Sequence, residues 1–463
     1  MAALPPEQEA DAPAAEDSYG LSDELIHGMQ DALHEGTVER AEEIAHSLHA
    51  ADLADLIESL SPDERTLLLD ILGRTLDPEV LPWLVPAVRQ AVIEHIGPRG
   101  LAAALSELES DDAVEVFEDL DEEFQHRILT ALPEAYRIIL EEGLSFPEES
   151  AGRLMQREVV VIPAAWTVGE TIDYMRAAER LPDDFYDVYV VNPKHKPLGY
   201  IPISRILRTH RPVRVTEVME TDMRTVPFTM DQEEVAYLFR QYGLVSAPVV
   251  DDAGRVVGVI TVDDVVHVID EEAEEDLMKL GGVTETDLYS AAWDTAKSRG
   301  LWLVVNLFTA ILASVVIGFF EDTLQTLVAL AVLMPIVASM GGNAGTQTLT
   351  VAVRALAMKD LSAANAMRFV GKELLVGAVN GGVFAVLTGI AAWIWFGRLD
   401  IAVVLAAAMI VNLIVAGLSG TLIPLGLERF KIDPAVASGI FLTTITDVIG
   451  FFAFLGLAAA FIL

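Results

Sequence analysis

A chain of 463 residues that is 52 % apolar, with positive mean hydropathy and yet a net charge of −40, joins two unlike halves. All but eight of its 70 acidic residues precede Lys297, so the first half repels nucleic acid and anionic surfaces and attracts divalent cations. The absence of cysteine excludes disulfides and thiolate metal sites, and no nucleophile–base pair, phosphate-binding loop or metalloprotease motif occurs, so no enzyme is expected.

Residues 1–20 are rich in Ala, Pro and Glu and lack a basic leader and an apolar core, so they read as a disordered tail and not a signal peptide. From Leu21 to residue 147, helical periodicity comes in short units with Pro, Asp and Ser at the joints, as in Leu60-Ser61-Pro62-Asp63-Glu64. This pattern predicts an acidic, all-α stack of short helices. Acidic clusters such as Asp111-Asp112 and Asp121-Glu122-Glu123 read as solvated faces, and His46 and His49 as surface residues.

An internal repeat occupies 148–210 and 211–270. Val190-Val191-Asn192-Pro193 through Gly199-Tyr200-Ile201-Pro202-Ile203 recurs 59 residues later as Val249-Val250-Asp251-Asp252 through Gly258-Val259-Ile260-Thr261-Val262. Upstream, Leu154-Met155 matches Val218-Met219 at an offset of 64, so the first copy carries a five-residue insertion. The strand, turn, strand, helix order resembles a tandem of CBS (cystathionine-beta-synthase) domains, α/β units that pair into a disc. The second copy retains Gly258, Thr261 and Asp264, which in that family contact ribose and phosphate, so the resemblance implies a site for a nucleotide such as ATP. The first copy has Pro202 where the threonine would be. A dense acidic stretch follows, Asp263, Asp264, Asp270, Glu271, Glu272, Glu274, Glu275 and Asp276, and leads through a connecting segment at 271–299 towards the apolar half as a metal-sensitive hinge.

Residues 300–463 contain five apolar stretches, at about 301–320, 323–353, 369–397, 401–427 and 434–463. Each is long enough to cross a hydrocarbon core of about 30 Å, which takes roughly 20 residues. Lys297 and Arg299, then Arg354, Lys359, Arg368 and Lys372, then Arg429 and Lys431 fall on one side of such a bundle. The positive-inside rule therefore places the acidic half in the cytoplasm and the C-terminus outside.

Two features within the spans point to ion handling. Pro335 is followed by Gly341-Gly342-Asn343-Ala344-Gly345, and glycines this dense loosen a helix. Two uses are open, an ion path lined by carbonyls and Asn343, or close helix packing through small residues. Asn306, Asn380 and Asn412 read as hydrogen-bonding amides between helices. Asp447, with thirteen residues of the fifth stretch before it and sixteen after, falls near the bilayer midplane, where a charge costs roughly 2.5 to 3.5 kcal/mol. It reads as the only carboxylate deep within any span, and Thr443, Thr444 and Thr446 surround it with the oxygens that hard cations prefer. The competing use is a structural carboxylate bonded to a neighbouring helix through Thr443 or Thr444.

The order of parts, with Gly-Gly-Asn-Ala-Gly in the second stretch and Thr-Asp-Val-Ile-Gly in the fifth, resembles the MgtE family of magnesium channels from about Leu21 onward. The resemblance implies a multidomain membrane protein of a bacterial inner membrane. Its parts would be a cytosolic helical domain, a CBS pair, a connecting "plug" helix and five transmembrane helices, assembled as a homodimer with the pore between subunits. It implies Asp447 as the central Mg²⁺ ligand, with Gly341, Gly342, Asn343, Ala344, Gly345, Thr443 and Thr444 lining the pore. It also implies regulatory Mg²⁺ sites that close the pore, carried over to Asp111, Glu115, Asp231, Glu233, Asp263, Asp264, Glu272, Glu275 and Asp276. His267 stands where the family often has another aspartate, and a coupled exchanger of divalent cations for H⁺ or Na⁺ is the alternative.

Overall fold

The structure, a computed structural model, describes residues 20–118, 120–178, 181–182, 184–283, 292–362, 364–435 and 438–463. The expected tail at 1–19 and residues 284–291 of the expected connecting segment lie outside them. The chain divides into two compact units, Met1–Val266 and His267–Leu463.

Short helices from Asp23–Glu35 to Glu134–Gly143 open the first unit, and local chemistry sets their ends. Ser22 accepts from the Leu25 amide at the start of the first, and Gly36 closes it in the left-handed conformation at φ 71°. Ser61 and Glu64 cap each other's backbone amides around Pro62. The helices share one core that buries Met29, Leu56, Ile57, Leu68, Ile93 and Phe117. Helix α1 (Ser110–Glu118) contributes Ala113, Val114, Val116 and Phe117 to that core.

Two three-stranded sheets follow. In the first, β1 (Val161–Pro163) is parallel to β2 (Asp187–Val191), which is antiparallel to β3 (Pro197–Pro202). In the second, β4 (Val226–Pro227), β5 (Ser246–Val250) and β6 (Val256–Thr261) repeat that order, with α2 (Gln232–Tyr242) between β4 and β5. The register Tyr189↔Tyr200 returns as Pro248↔Val259, and the irregularity at Val190/Val191 returns at Val249/Val250. The copies also exchange segments. Gln156, ahead of β1, pairs with Val259 of β6, and Glu220, ahead of β4, pairs with Tyr200 of β3. Gly199 and Gly258 permit this, because a Cβ on Gly258 would lie 2.6 Å from the Gln156 carbonyl, and one on Gly199 would strike that of Glu220.

Helix α3 (Val262–Gly281) runs unbroken through the acidic stretch. It begins nine residues before the expected connecting segment, directly after β6, and ends where Gly282 turns to φ 71°. The Val283 and Gly282 amides then bond to the carbonyls of Met278 and Lys279.

Among the described residues five helices are long and apolar enough to cross a membrane: α4 (Ala292–Gly318), α5 (Val328–Ala357), α6 (Ala366–Phe396), α7 (Leu399–Arg429) and α8 (Ser438–Phe461). A short helix, Glu321–Thr326, separates α4 from α5, so the second span starts later than its apolar run suggested. Helix α7 packs against α5, α6 and α8, burying Leu405, Ala408, Met409 and Asn412, while α4 leans chiefly on α8 and leaves Leu303, Leu307 and Phe308 exposed.

Candidate metal centres

Asp447 sits in the middle of α8, beside a packed stripe of Leu442, Thr446, Gly450 and Phe454 at fourfold spacing. The stripe is buried; Asp447 is half-buried and Thr443, one turn earlier on the same side, is exposed. The hydroxyls of Thr443 and Thr444 donate to the carbonyls of Gly439 and Ile440 at 2.8 and 2.7 Å. Each keeps its oxygen lone pairs free, and neither hydroxyl proton is directed at the carboxylate. Among the described residues no hydrogen bond or ion pair engages the Asp447 side chain.

The glycine stretch is not loosened, contrary to the sequence expectation. Helix α5 is continuous through it, because its neighbours occupy the space the side chains would fill. A Cβ on Gly341 would lie 2.8 Å from Asn412 Cγ of α7, and one on Gly345 would lie 2.7 Å from Leu442 Cδ1 of α8. Gly420 of α7 in turn passes so close to the Gly345 carbonyl that a Cβ would be 2.7 Å away. Ala344 packs beside Met409 and Leu413. Asn343 is exposed, its Nδ2 donating to Ser339 Oγ at 3.3 Å, and Gly342 has open space around it.

Asp447 is not alone among span carboxylates. Glu373 lies within α6, 7 % exposed, and accepts from the Thr348 hydroxyl of α5 at 3.1 Å. Lys372 Nζ lies 3.4 Å from its other oxygen. In the sequence Glu373 is inconspicuous, because it stands beside a lysine at the edge of an apolar run. A signal was present, since Glu373, Gly377, Gly381 and Ala385 form one buried stripe with period four.

In the first unit, Asp111 and Asp112 are held in α1 near Asp264 and Glu109. Asp111 is buried, and its Oδ1 has no hydrogen-bond partner among the described residues. Burial first, then the charges of Asp264, Asp112 and Glu109, push the Asp111 carboxyl well above the usual range. Burial, then Glu115 and Asp264, push Asp112 up to about 7. Glu115 is paired with Arg89 at 2.7 Å. Asp264 accepts from the Thr261 hydroxyl at 2.7 Å where α3 begins. Asp231 caps α2, accepting from the Glu233 amide at 2.9 Å, and Asp263 is exposed.

A second acidic group lies in the other unit. Lys279, near the end of α3, bonds Glu275 and, at 2.7 Å, Asp433 in the α7–α8 connection. Burial would lower the lysine, but the bonds to Asp433 and Glu275 hold it above its usual value. Burial and then the Asp433 charge raise the Asp276 carboxyl. Glu272, one turn before Glu275, is half-buried. Asp433 was not singled out from the sequence, where only its place beside Lys431 in a basic connection marked it. Among the described residues no three carboxylates or histidines converge as a metal cage, and the carboxylates of each group stand close enough to repel.

Comparison with known proteins agrees with this layout. Residues 334–457 match the family MgtE, divalent cation transporter; residues 48–149 match the MgtE intracellular N domain; residues 151–211 and 215–271 match CBS domains. The chain is 29 % identical over 441 residues to the magnesium transporter MgtE of Bacillus subtilis and 32 % identical over 444 residues to that of Thermus thermophilus, in each case covering 95 % of this chain and 98 % of the relative. A crystal structure of the cytosolic domain of the Mg²⁺ channel MgtE in complex with ATP matches with TM-score 0.50 and 31 % identity, over 52 % of this chain and 99 % of that one. A helical N domain, a CBS pair and five apolar helices, in this order and over nearly the whole length of both relatives, place the chain in the MgtE family of divalent cation transporters.

Proposed function

We propose that this protein is a homodimeric Mg²⁺ channel of a bacterial inner membrane, with its helical and CBS domains cytoplasmic and its C-terminus periplasmic, closed by cytosolic Mg²⁺. The observation that carries the reading is Asp447, half-buried at the centre of α8 with no protein partner for its charge and a threonine hydroxyl one turn below. Mg²⁺ sheds water reluctantly and is commonly held by one or two carboxylates through retained waters. One Asp447 from each subunit across a two-fold axis would supply that pair. The half-buried Gly342, the exposed Asn343 and the free lone pairs of Thr443 and Thr444 supply further oxygens, and no chemical step is needed. The names of the relatives, magnesium transporters and a Mg²⁺ channel, agree with this substrate.

Closure would come from the two acidic groups. Asp111, Asp112 and Asp264, and Asp276 with Asp433, repel while bare and draw together when a divalent cation screens them. ATP would be held at the second CBS copy through Thr261 and Asp264, as the ATP complex of the solved relative suggests. Thr261→Ala should then weaken ATP binding measured by calorimetry. For the pore, Mg²⁺ flux into proteoliposomes should collapse in Asp447→Ala, and unchanged flux would sink the assignment. For the gate, raising Mg²⁺ on the cytosolic face should silence the flux.

The buried Glu373 favours a second reading, a carrier exchanging Mg²⁺ for protons, because it adds another protonatable group inside the bundle. An imposed proton gradient that drives uphill Mg²⁺ movement would support the carrier; flux indifferent to the gradient would leave the channel.

A further inference from the structure

We propose that Asn412 is a positioning residue for Asp447, its carboxamide wedged between α5 and α8 so that it fixes the height of the Asp447 turn against α5. This inference rests on Asp447 as the pore carboxylate.

Asn412 is wholly buried on α7, the helix that packs against α5, α6 and α8. Its Nδ2 donates to the Val337 carbonyl of α5 at 2.8 Å. On α5 the amide fills the space of the missing Gly341 side chain, where a Cβ would lie 3.0 Å from Oδ1. On α8 it fills the space at Gly450, where a Cβ would lie 2.8 Å from Nδ2 and 3.1 Å from Oδ1. Two helices therefore omit a side chain to admit one amide.

A packing role alone does not account for this choice. Oδ1 has no hydrogen-bond partner among the described residues, a standing cost inside an apolar bundle that a leucine would avoid. Apolar contacts between helices slide with little loss, whereas a single buried amide with a directional bond specifies one register at some expense in stability. Gly450 is three residues from Asp447, about 4.5 Å along a rigid helix. On the other side of Asp447, Leu442 is seated against Gly345 of α5. A slip of one residue between these contacts would move the carboxylate by about 1.5 Å and turn it by about 100°.

The test measures Mg²⁺ uptake by the full-length protein in proteoliposomes against Mg²⁺ concentration, with Ca²⁺ as competitor, normalised to folded protein by gel filtration. Asn412→Leu keeps the volume and removes the bond to Val337. It should raise the half-saturating Mg²⁺ about tenfold and narrow the Mg²⁺ over Ca²⁺ preference. Gly450→Ala presses on the amide from the opposite helix and should give the same shift with Asn412 present. The pair Asn412→Ala with Gly450→Ala restores clearance without the bond, and should fold well yet keep the altered half-saturation. Should Asn412→Leu yield no folded protein, Gly450→Ala and the pair decide the matter. Folded variants with the parent's half-saturation and preference, or a lower maximal rate alone, would make Asn412 a packing residue and overturn the proposal, while loss of flux in Asp447→Asn keeps the pore assignment. Parental transport by Asp447→Asn would remove both.

Discussion

The ammonium of Lys279 on α3 lies 2.7 Å from Asp433 Oδ2 in the connection between α7 and α8. The acidic end of α3 is therefore fastened by a cation of the chain's own, next to Asp276, which the same Asp433 repels. Lys279→Met removes the fastening and leaves Asp276 and Asp433 facing each other. If α3 is the closing element, the internal Mg²⁺ needed for half-closure should rise roughly fivefold, the effect of about 1 kcal/mol. Flux through proteoliposomes loaded with graded Mg²⁺ measures this, and an unshifted closure curve would argue against a latch.

The Asp112 carboxyl gives a pH dependence with a definite sign. Its pKa rises from 3.8 to about 7 on folding, so the folded state holds the proton more tightly. The stability this contributes is complete below about pH 3.8 and is lost as pH rises through about 7. In Mg²⁺-free buffer, α1 should therefore exchange its amide hydrogens more slowly at pH 6 than at pH 8, after correction for the intrinsic rate. Added Mg²⁺ should protect it more at pH 8, and Asp112→Asn should be protected at both. Equal protection of the parent across this range would contradict the burial argument.

Glu373 and Thr348 form a buried hydrogen bond between α6 and α5. Thr348→Val leaves the carboxylate with one donor fewer and should cost roughly 1.5 to 3 kcal/mol of resistance to unfolding in detergent. In a Glu373→Gln background the same change should cost less, since a neutral amide is the cheaper group to leave unpaired. Equal costs in both backgrounds would mean that the bond carries no coupling.

The small residues of α5 and α7 divide into those that clear a neighbour and those that do not. A Cβ at Gly420 would stand 2.7 Å from the Gly345 carbonyl, which as backbone cannot yield, so Gly420→Ala should destabilise the bundle by about 1 to 3 kcal/mol. Gly342→Ala meets open space and should change stability by no more than about 0.5 kcal/mol in either direction, or improve it slightly. Thermal unfolding of the purified variants separates the two.

The order of domains was legible from the sequence because period, composition and repeat each change at the joints. The 59-residue offset carried the sheet register into the second copy, whereas the offset of 64 upstream indicated only an insertion in the first copy. Where those segments pair was not legible, because each meets the other copy's sheet and not its own. Asp447 stood out as an isolated charge in an apolar run, whereas Glu373 was masked by the lysine before it, burial being a property of the helix face that only packing reveals. Asp112 was hidden for the reverse reason, as one acid among many. The glycines of α5 left an ion path and close packing both open in the sequence, and their packing use becomes plain only with Asn412, Leu442 and Gly420 beside them.

The pairing of Gln156 with Val259 and of Glu220 with Tyr200 means that neither CBS copy finishes its own sheet. A single copy expressed alone would present a strand edge with unmet amides and carbonyls, an invitation to associate with another chain. The smallest heritable module of this region is thus the pair, and a recombination break between its halves would yield two sticky fragments in place of two working domains.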